Sequence, residues 1–186
     1  MSNSHYFIGF PVREDLKNRL EIWQKQLRKK ADYKVWTFPD DFHITVKFLG
    51  DCADNTLEEL LKNLESQDWP SVFSETIGPI GNFGSNVHPR VVHAKVSKSD
   101  RLSIIKQQVE EAGVKAGLDR EKRPYSPHIT LAKKWVSGTP LEDGSFPSVF
   151  REVYHQEISH LTLYRIHPAR KPKYEVVAEL PLHKKE

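Results

Sequence analysis

The chain predicts an α+β protein made of two pseudo-symmetric halves, and two observations carry that expectation. Short β-prone apolar runs alternate with helix-period stretches along the chain. A shift of 85 residues then lays the first half on the second. Phe7 falls on Val92, Leu20 on Ile105, Leu27 on Ala112 and Pro39 on Pro124. His43-Ile44-Thr45-Val46 falls on His128-Ile129-Thr130-Leu131. Identity outside that motif is poor, so the repeat is structural in character.

The elements follow in order. Tyr6–Val12 is apolar, β-prone and interrupted by Pro11, which reads as a strand. A helix is expected from about Glu14 to Lys30, with Leu16, Leu20, Trp23 and Leu27 on one face. A second is expected over Asp54–Gln67, with Leu57, Leu60, Leu61 and Leu64 facing inward. Arg90–Val96 reads as a strand, and Asp100–Ala116 as a third helix that Gly117 can stop. Two closing strands are expected near Glu157–Ile166 and Tyr174–Leu182. Proline and glycine mark loops around 78–89 and 137–147. Each half is therefore a strand, a helix, a proline-containing loop, and a strand opening with H-I-T-aliphatic.

Bulk properties narrow the class. The 186 residues, 38% hydrophobic and 28% charged, suit one soluble globular domain spanning 1–186. Cys52 is the single cysteine, which excludes an internal disulfide and a cysteine-rich metal site. The start, MSNSHYFIGFPVRED, has no basic and apolar leader pattern, and no run approaches a membrane span. A cytoplasmic protein without membrane partners, acting as a monomer, is the expectation. Net charge is only +3, yet residues 115–134 hold six Lys/Arg against two acids. A basic cluster favours ligands that carry phosphate.

Strand geometry gives the repeated motif its chemical meaning. Residues i and i+2 of a strand share a face, so His43 and Thr45 point together, as do His128 and Thr130. Ile44, Val46 and Phe48 are then expected on the core side, as are Ile129 and Leu131. Two such strands side by side would line one groove with two imidazoles and two hydroxyls. In-line transfer at phosphorus needs a base for the nucleophile and an acid for the leaving oxygen, and two histidines can supply both. Thr45 and Thr130 can hydrogen-bond the non-bridging oxygens. Arg123, five residues before His128, is the candidate cation, and Tyr125 the candidate for stacking on a base. No metal and no cofactor is implied.

One H-x-T in a strand is commonplace; two, each four residues after a proline in matching frames, are not. The chain carries its own control in His160-Leu161-Thr162-Leu163, which lacks the preceding helix and proline loop and reads as an ordinary strand. His5, His88, His93, His155, His167 and His183 have no zinc-like spacing and read as surface or satisfied polar residues. Trp23 and Trp36 read as core.

These residues resemble a known family. H-I-T-V-K-F-L-G (43–50) and R-P-Y-S-P-H-I-T-L-A (123–132) are similar to the paired motifs of the 2H phosphoesterases. Among them the chain looks like the RNA 2',3'-cyclic phosphodiesterases, also called 2'-5' RNA ligases. The likeness runs from FIGFPV through PRVVHAKV to the closing Tyr174–Leu182 segment. It implies a bilobal fold with antiparallel sheets flanking a central cleft and helices outside. It also implies His43 as proton donor and His128 as proton acceptor, acting on RNA 3' ends that carry a cyclic phosphate, with 2'-5' joining as a further reaction. Two departures stand out. The second motif runs L-A-K (131–133) where many relatives have L-A-R, and His93 replaces a tryptophan found in several. Alternatives are a phosphodiesterase for small cyclic nucleotides and a non-catalytic RNA-end binding protein.

Overall fold

The structure, a computed structural model, describes residues 4–140 and 147–184. Two antiparallel sheets form its frame. The first contains β1 (His5–Pro11), β3 (His43–Asp51), β8 (His160–Ile166) and β9 (Tyr174–Pro181), in the order β3-β1-β8-β9. The second contains β2 (Ala31–Trp36), β4 (Phe73–Gly84), β5 (Pro89–Val96), β6 (His128–Gly138) and β7 (Tyr154–Ile158), in the order β2-β6-β5-β4-β7. Three helices accompany them: α1 (Glu14–Arg28), α2 (Asp54–Glu65) and α3 (Asp100–Lys115). The expected α+β class and its two related halves are both present.

The halves are interlocked. β1 pairs with β3 as β5 pairs with β6, which is the repeat seen in the chain. α1 and α3, however, each cross to the other sheet. α1 lies against β2 and β6, and α3 against β3 and α2. The chain end returns to the first sheet as β8 and β9. One cluster of buried side chains therefore joins both sheets, from Phe10 and Ile44 to Trp23, Ile129 and Phe150. β3 and β6 come together where the sheets meet.

Three expectations about elements need correction. The stretch 157–166 is not one strand: the chain breaks at Ser159, so β7 edges the second sheet while β8 enters the first. The predicted loop at 78–89 is largely strand, since β4 runs through Gly78-Pro79 by skipping a pair of ladder positions between Ile77 and Ile80. β2 was not expected at all; it is a short edge strand paired only with β6. The loop expected at 137–147 begins inside β6 and then falls largely outside the described residues. Trp23 is fully buried, as expected, whereas Trp36, at the open end of β2, is half-buried.

Local fit between β1 and β3 is tight. A Cβ at Gly9 would lie 2.5 Å from the carbonyl oxygen of Ile44, so only glycine permits this approach directly behind His43.

Candidate active site at the junction of the two sheets

Both motif histidines open their strands and are anchored in the same way. His43 Nδ1 lies 2.7 Å from the Asp41 carbonyl oxygen, and His128 Nδ1 lies 2.8 Å from that of Ser126. A carbonyl only accepts, so each Nδ1 carries a proton and donates it. Nε2 is thereby left for chemistry in both rings. In His43 it sits 2.9 Å from Thr45 Oγ1, whose hydroxyl donates to it while the ring is neutral. The alternation expected along each motif is present: Ile44 and Ile129 are fully buried behind the polar faces.

A β-bulge in each motif strand then changes the phase, and it recurs at the repeat distance. The β1–β3 register steps from Gly9↔Thr45 to Ile8↔Lys47, skipping Val46. The β5–β6 register steps from His93↔Thr130 to Val92↔Ala132, skipping Leu131. An extra residue turns the remainder of the strand to the opposite face. Phe48 is consequently 60% exposed and lines the groove instead of entering the core as expected. Its counterpart Lys133 is turned the same way, into the groove with His43, Thr45 and Thr130.

The groove consists of two adjoining cavities that share Thr45 and Phe48. One, about 280 Å³, holds His43, Thr130, Lys133, Trp36 and Tyr174. The other, about 540 Å³, holds His128, Phe83, Arg90, Tyr125 and Arg123. Aromatic rings from the same sheet hold each imidazole. Phe7 and Tyr174 flank His43 at 4.6 and 5.0 Å, and Phe83 and His93 flank His128 at 4.8 and 5.0 Å.

These surroundings disfavour the charged rings. Burial pushes His43 down to about 4, with smaller contributions from the His128 and Lys133 charges, against the opposing pull of the Asp41 carbonyl. His128 is also lowered by burial, with the Ser126 carbonyl opposing.

The remaining sequence candidates behave differently. Tyr125 forms part of the wall, its hydroxyl donating to the Thr45 carbonyl at 3.0 Å and so tying the 119–127 loop to β3. Arg123 lies exposed at the rim and is engaged by Glu121 through Nε at 3.2 Å and Nη2 at 3.1 Å. His160 lies away from this groove, in a cavity with Phe10 and Arg13, and Thr162 is buried. Asp41 was missed. Its carboxylate accepts the backbone N–H groups of Lys173 and Tyr174, clamping the start of β9 beside His43. No local signal beyond its place two residues before the motif could have found it.

His93 overturns its expected reading as a surface or satisfied residue. It is 5% exposed, and neither ring nitrogen has a hydrogen-bond partner among the described residues. The bulge in β6 brings its ring under His128, where Phe83 covers it at 4.4 Å. Burial lowers its pKa to about 4, helped by the nearby His128 and Lys95 charges and opposed by the Ala94 and Asn82 backbone. An unfolded histidine titrates near 6.5, so the unfolded chain binds more protons than the folded one between about pH 6.5 and 4. Stability contributed by the neutral ring is complete above 6.5 and is lost as pH falls through that window. Replacing His93 by Phe removes both the proton linkage and the unpaired nitrogens. Melting curves should therefore show a higher Tm at pH 7 and a smaller drop between pH 7 and 5 than wild type. A lower Tm at both pH values would mean that the ring makes a polar contact essential to the fold.

Comparison with known proteins agrees with the paired motifs. The family model described as the 2'-5' RNA ligase superfamily matches residues 12–168. The chain belongs to this superfamily. A Bacillus subtilis relative named RNA 2',3'-cyclic phosphodiesterase is 35% identical, with 96% of each chain covered. A Geobacillus stearothermophilus relative of the same name is 29% identical over 98% of this chain, which spans only 58% of that protein's length. Among solved structures, E. coli LigT in apo form superposes with a TM-score of 0.76 at 19% identity, covering 99% of this chain and 100% of LigT. LigT complexed with 3'-AMP gives 0.75 at 21%, covering 96% and 98%. Both share this chain's fold. Among the described residues no cluster of His, Cys, Asp or Glu could hold a metal ion, and no helix is long and apolar enough to cross a membrane.

Proposed function

We propose that this protein opens the terminal 2',3'-cyclic phosphate of RNA to a 2'-phosphate, with His128 as base and His43 as acid. The observation that carries the reading is the common anchoring of the two rings. Each Nδ1–H is held by a carbonyl two residues back, leaving both Nε2 atoms for one groove. The relatives named RNA 2',3'-cyclic phosphodiesterase support the substrate.

Neutral His128 accepts a proton at Nε2 from a water molecule as its oxygen bonds to phosphorus. The bond from phosphorus to the 3' oxygen breaks in line, and that oxygen takes a proton from His43 Nε2. The products are a 2'-phosphate and a 3'-hydroxyl, and the rings exchange their protons with solvent before the next turnover. His43 must be charged to act as the acid, which its low pKa in the free protein opposes. The anionic phosphate beside it favours the imidazolium, as does the Asp41 carbonyl. Thr45 and Thr130 hydroxyls donate to the non-bridging oxygens, and Lys133 offsets their charge. Arg123 and Tyr125 border the nucleoside side. A 5'-hydroxyl in place of water would give a 2'-5' linkage.

Two measurements on RNA ended by a 2',3'-cyclic phosphate test this. The product should be the 2'-phosphate, formed equally in EDTA; the 3'-phosphate isomer would contradict the assigned geometry. The dependence of kcat/KM on pH should be a bell with both limbs below about 6.5, because both free-enzyme rings titrate below the ordinary histidine value. Activity that rises steadily up to pH 9 would exclude the pair as acid and base.

A further inference from the structure

The His43 side of the groove does not end at the reacting centre. Its 280 Å³ cavity shares the wall formed by Val35, Trp36, Thr37 and Phe38, with Lys171 and Lys173 opposite, with a second space of about 520 Å³. That outer space leads over β2 to the C-terminal half of α1, ending at Lys25, Arg28 and Lys34. Among its lining residues the one carboxylate is Glu21, already paired with Lys25 at 3.3 Å. Arg28, Lys34, Lys171 and Lys173 have no ion-pair partner among the described residues. Apart from the Asp41 carboxylate, which is held by backbone N–H groups, the channel walls carry an excess of positive charge, which favours a polyanion inside.

Its second property is a flat stacking surface. Arg28 lies with its guanidinium carbon 3.8 Å from the centre of the Trp36 ring. Tyr33 braces that ring edge-on at 5.7 Å. A guanidinium pre-stacked on tryptophan presents a charged plane on which an unpaired base can lie, whatever its identity. The other arm of the groove is different: around His128 the wall is largely aromatic, Arg123 at its rim is paired with Glu121, Lys47 and Lys106 are paired with Glu110, and Arg90 is the one cation there without an ion-pair partner among the described residues.

We propose that the channel from His43 past Trp36 to Arg28 and Lys34 is a track for single-stranded RNA, holding the nucleotides upstream of the reactive end. This rests on the phosphodiesterase reading and adds to it where the nucleotides upstream of the reactive end are held. The cations contact successive phosphates, the Arg28–Trp36 stack holds one base, and the terminal nucleoside occupies the aromatic arm.

The test compares a 2',3'-cyclic mononucleotide with a single-stranded RNA of about eight nucleotides carrying the same end. In wild type, kcat/KM for the longer RNA should exceed that for the mononucleotide roughly ten- to a hundred-fold. The exposed double substitution Lys34→Glu with Lys171→Glu should cut that ratio about tenfold or more. Binding of the corresponding 2'-phosphate-ended RNA needs no turnover. Its log Kd against log salt slope should flatten by about 0.7 for each phosphate that the variant no longer engages. Lys34→Ala with Lys171→Ala should move both readouts the same way by less, which separates charge from misfolding. Equal efficiency on both substrates in wild type, or a ratio and salt slope unmoved by the substitutions, would overturn the track alone. Salt-sensitive RNA binding that responds to the substitutions, in a protein that turns over neither substrate, would keep the track and sink the phosphodiesterase reading.

Discussion

His43→Ala and His128→Ala should each lower kcat on cyclic-phosphate-ended RNA by roughly 10²–10⁴-fold, the usual worth of one general acid or base. KM should change far less, because the proposed phosphate contacts are the hydroxyls and Lys133 rather than the rings. The double variant should be scarcely worse than either single one, since in-line displacement needs both transfers and loses its advantage when one is gone. Single-turnover rates with saturating enzyme measure this without interference from product release. The substitutions should not cost the fold much: both rings sit at strand starts, and the buried Ile44 and Ile129 behind them are untouched. His160→Ala, outside the groove, is the matched control and should leave kcat unchanged. Near-normal turnover in either motif variant, with an unchanged melting curve, would remove that ring from the mechanism.

The largest stability effect is expected away from the reacting groups, at Glu110 on α3. Its carboxylate takes Lys47 Nζ at 2.9 Å and Lys106 Nζ at 2.6 Å, and accepts the Glu121 N–H at 3.1 Å. Lys47 and Glu110 side chains are only 4% and 6% exposed. Burial alone would raise the Glu110 carboxyl, but the hydrogen bonds from Lys106, Lys47 and the Glu121 backbone hold it below the ordinary value. Lys47 reaches this site because the β3 bulge turns it inward, where it also donates to the Asp119 carbonyl. Lys106 in turn donates to the carbonyl of Val46, the bulged residue. The cluster thus ties α3 and the 119–127 loop to the backbone beside Thr45. Glu110→Gln would leave two cations facing a neutral amide, one of them fully desolvated. Breaking a buried pair from one side costs about 3–5 kcal/mol, or on the order of ten degrees in Tm for a chain of this size. Lys47→Met together with Glu110→Met should recover much of that loss, because the unpaired buried charge goes with its partner. A drop under about 1 kcal/mol for Glu110→Gln would show that water reaches the lysine and that the cluster behaves like a surface pair.

Much of this molecule was legible in its sequence, and what was legible is local. Helix period marked α1, α2 and α3 within a residue or two of their ends. Period-2 alternation turned His43 with Thr45, and His128 with Thr130, away from Ile44 and Ile129. The 85-residue repeat anticipated that β3 and β6 would be related strands meeting in one protein. These features depend on neighbours a few residues away, so composition and spacing express them directly.

Features set by distant partners were not legible. A bulge depends on how two strands register, so alternation read along one strand sent Phe48 into the core and gave no hint that Lys133 would enter the groove. Ser159 looks like an ordinary residue in a strand, yet there the chain leaves one sheet for the other, a switch set by which strands β7 and β8 pair with rather than by local residues. Asp41 and His93 acquire their roles from Tyr174 and Phe83, residues far along the chain or across a strand pair. Trp36 packs against the core yet also walls the groove, because it ends the edge strand β2, where α1 covers it with the Arg28 side chain. Spacing and residue type named His43, Thr45, His128 and Thr130 as candidates, and the fold brings their strands together. Long-range packing, acting through register, crossover and burial, chose which of them stand together and at what pKa.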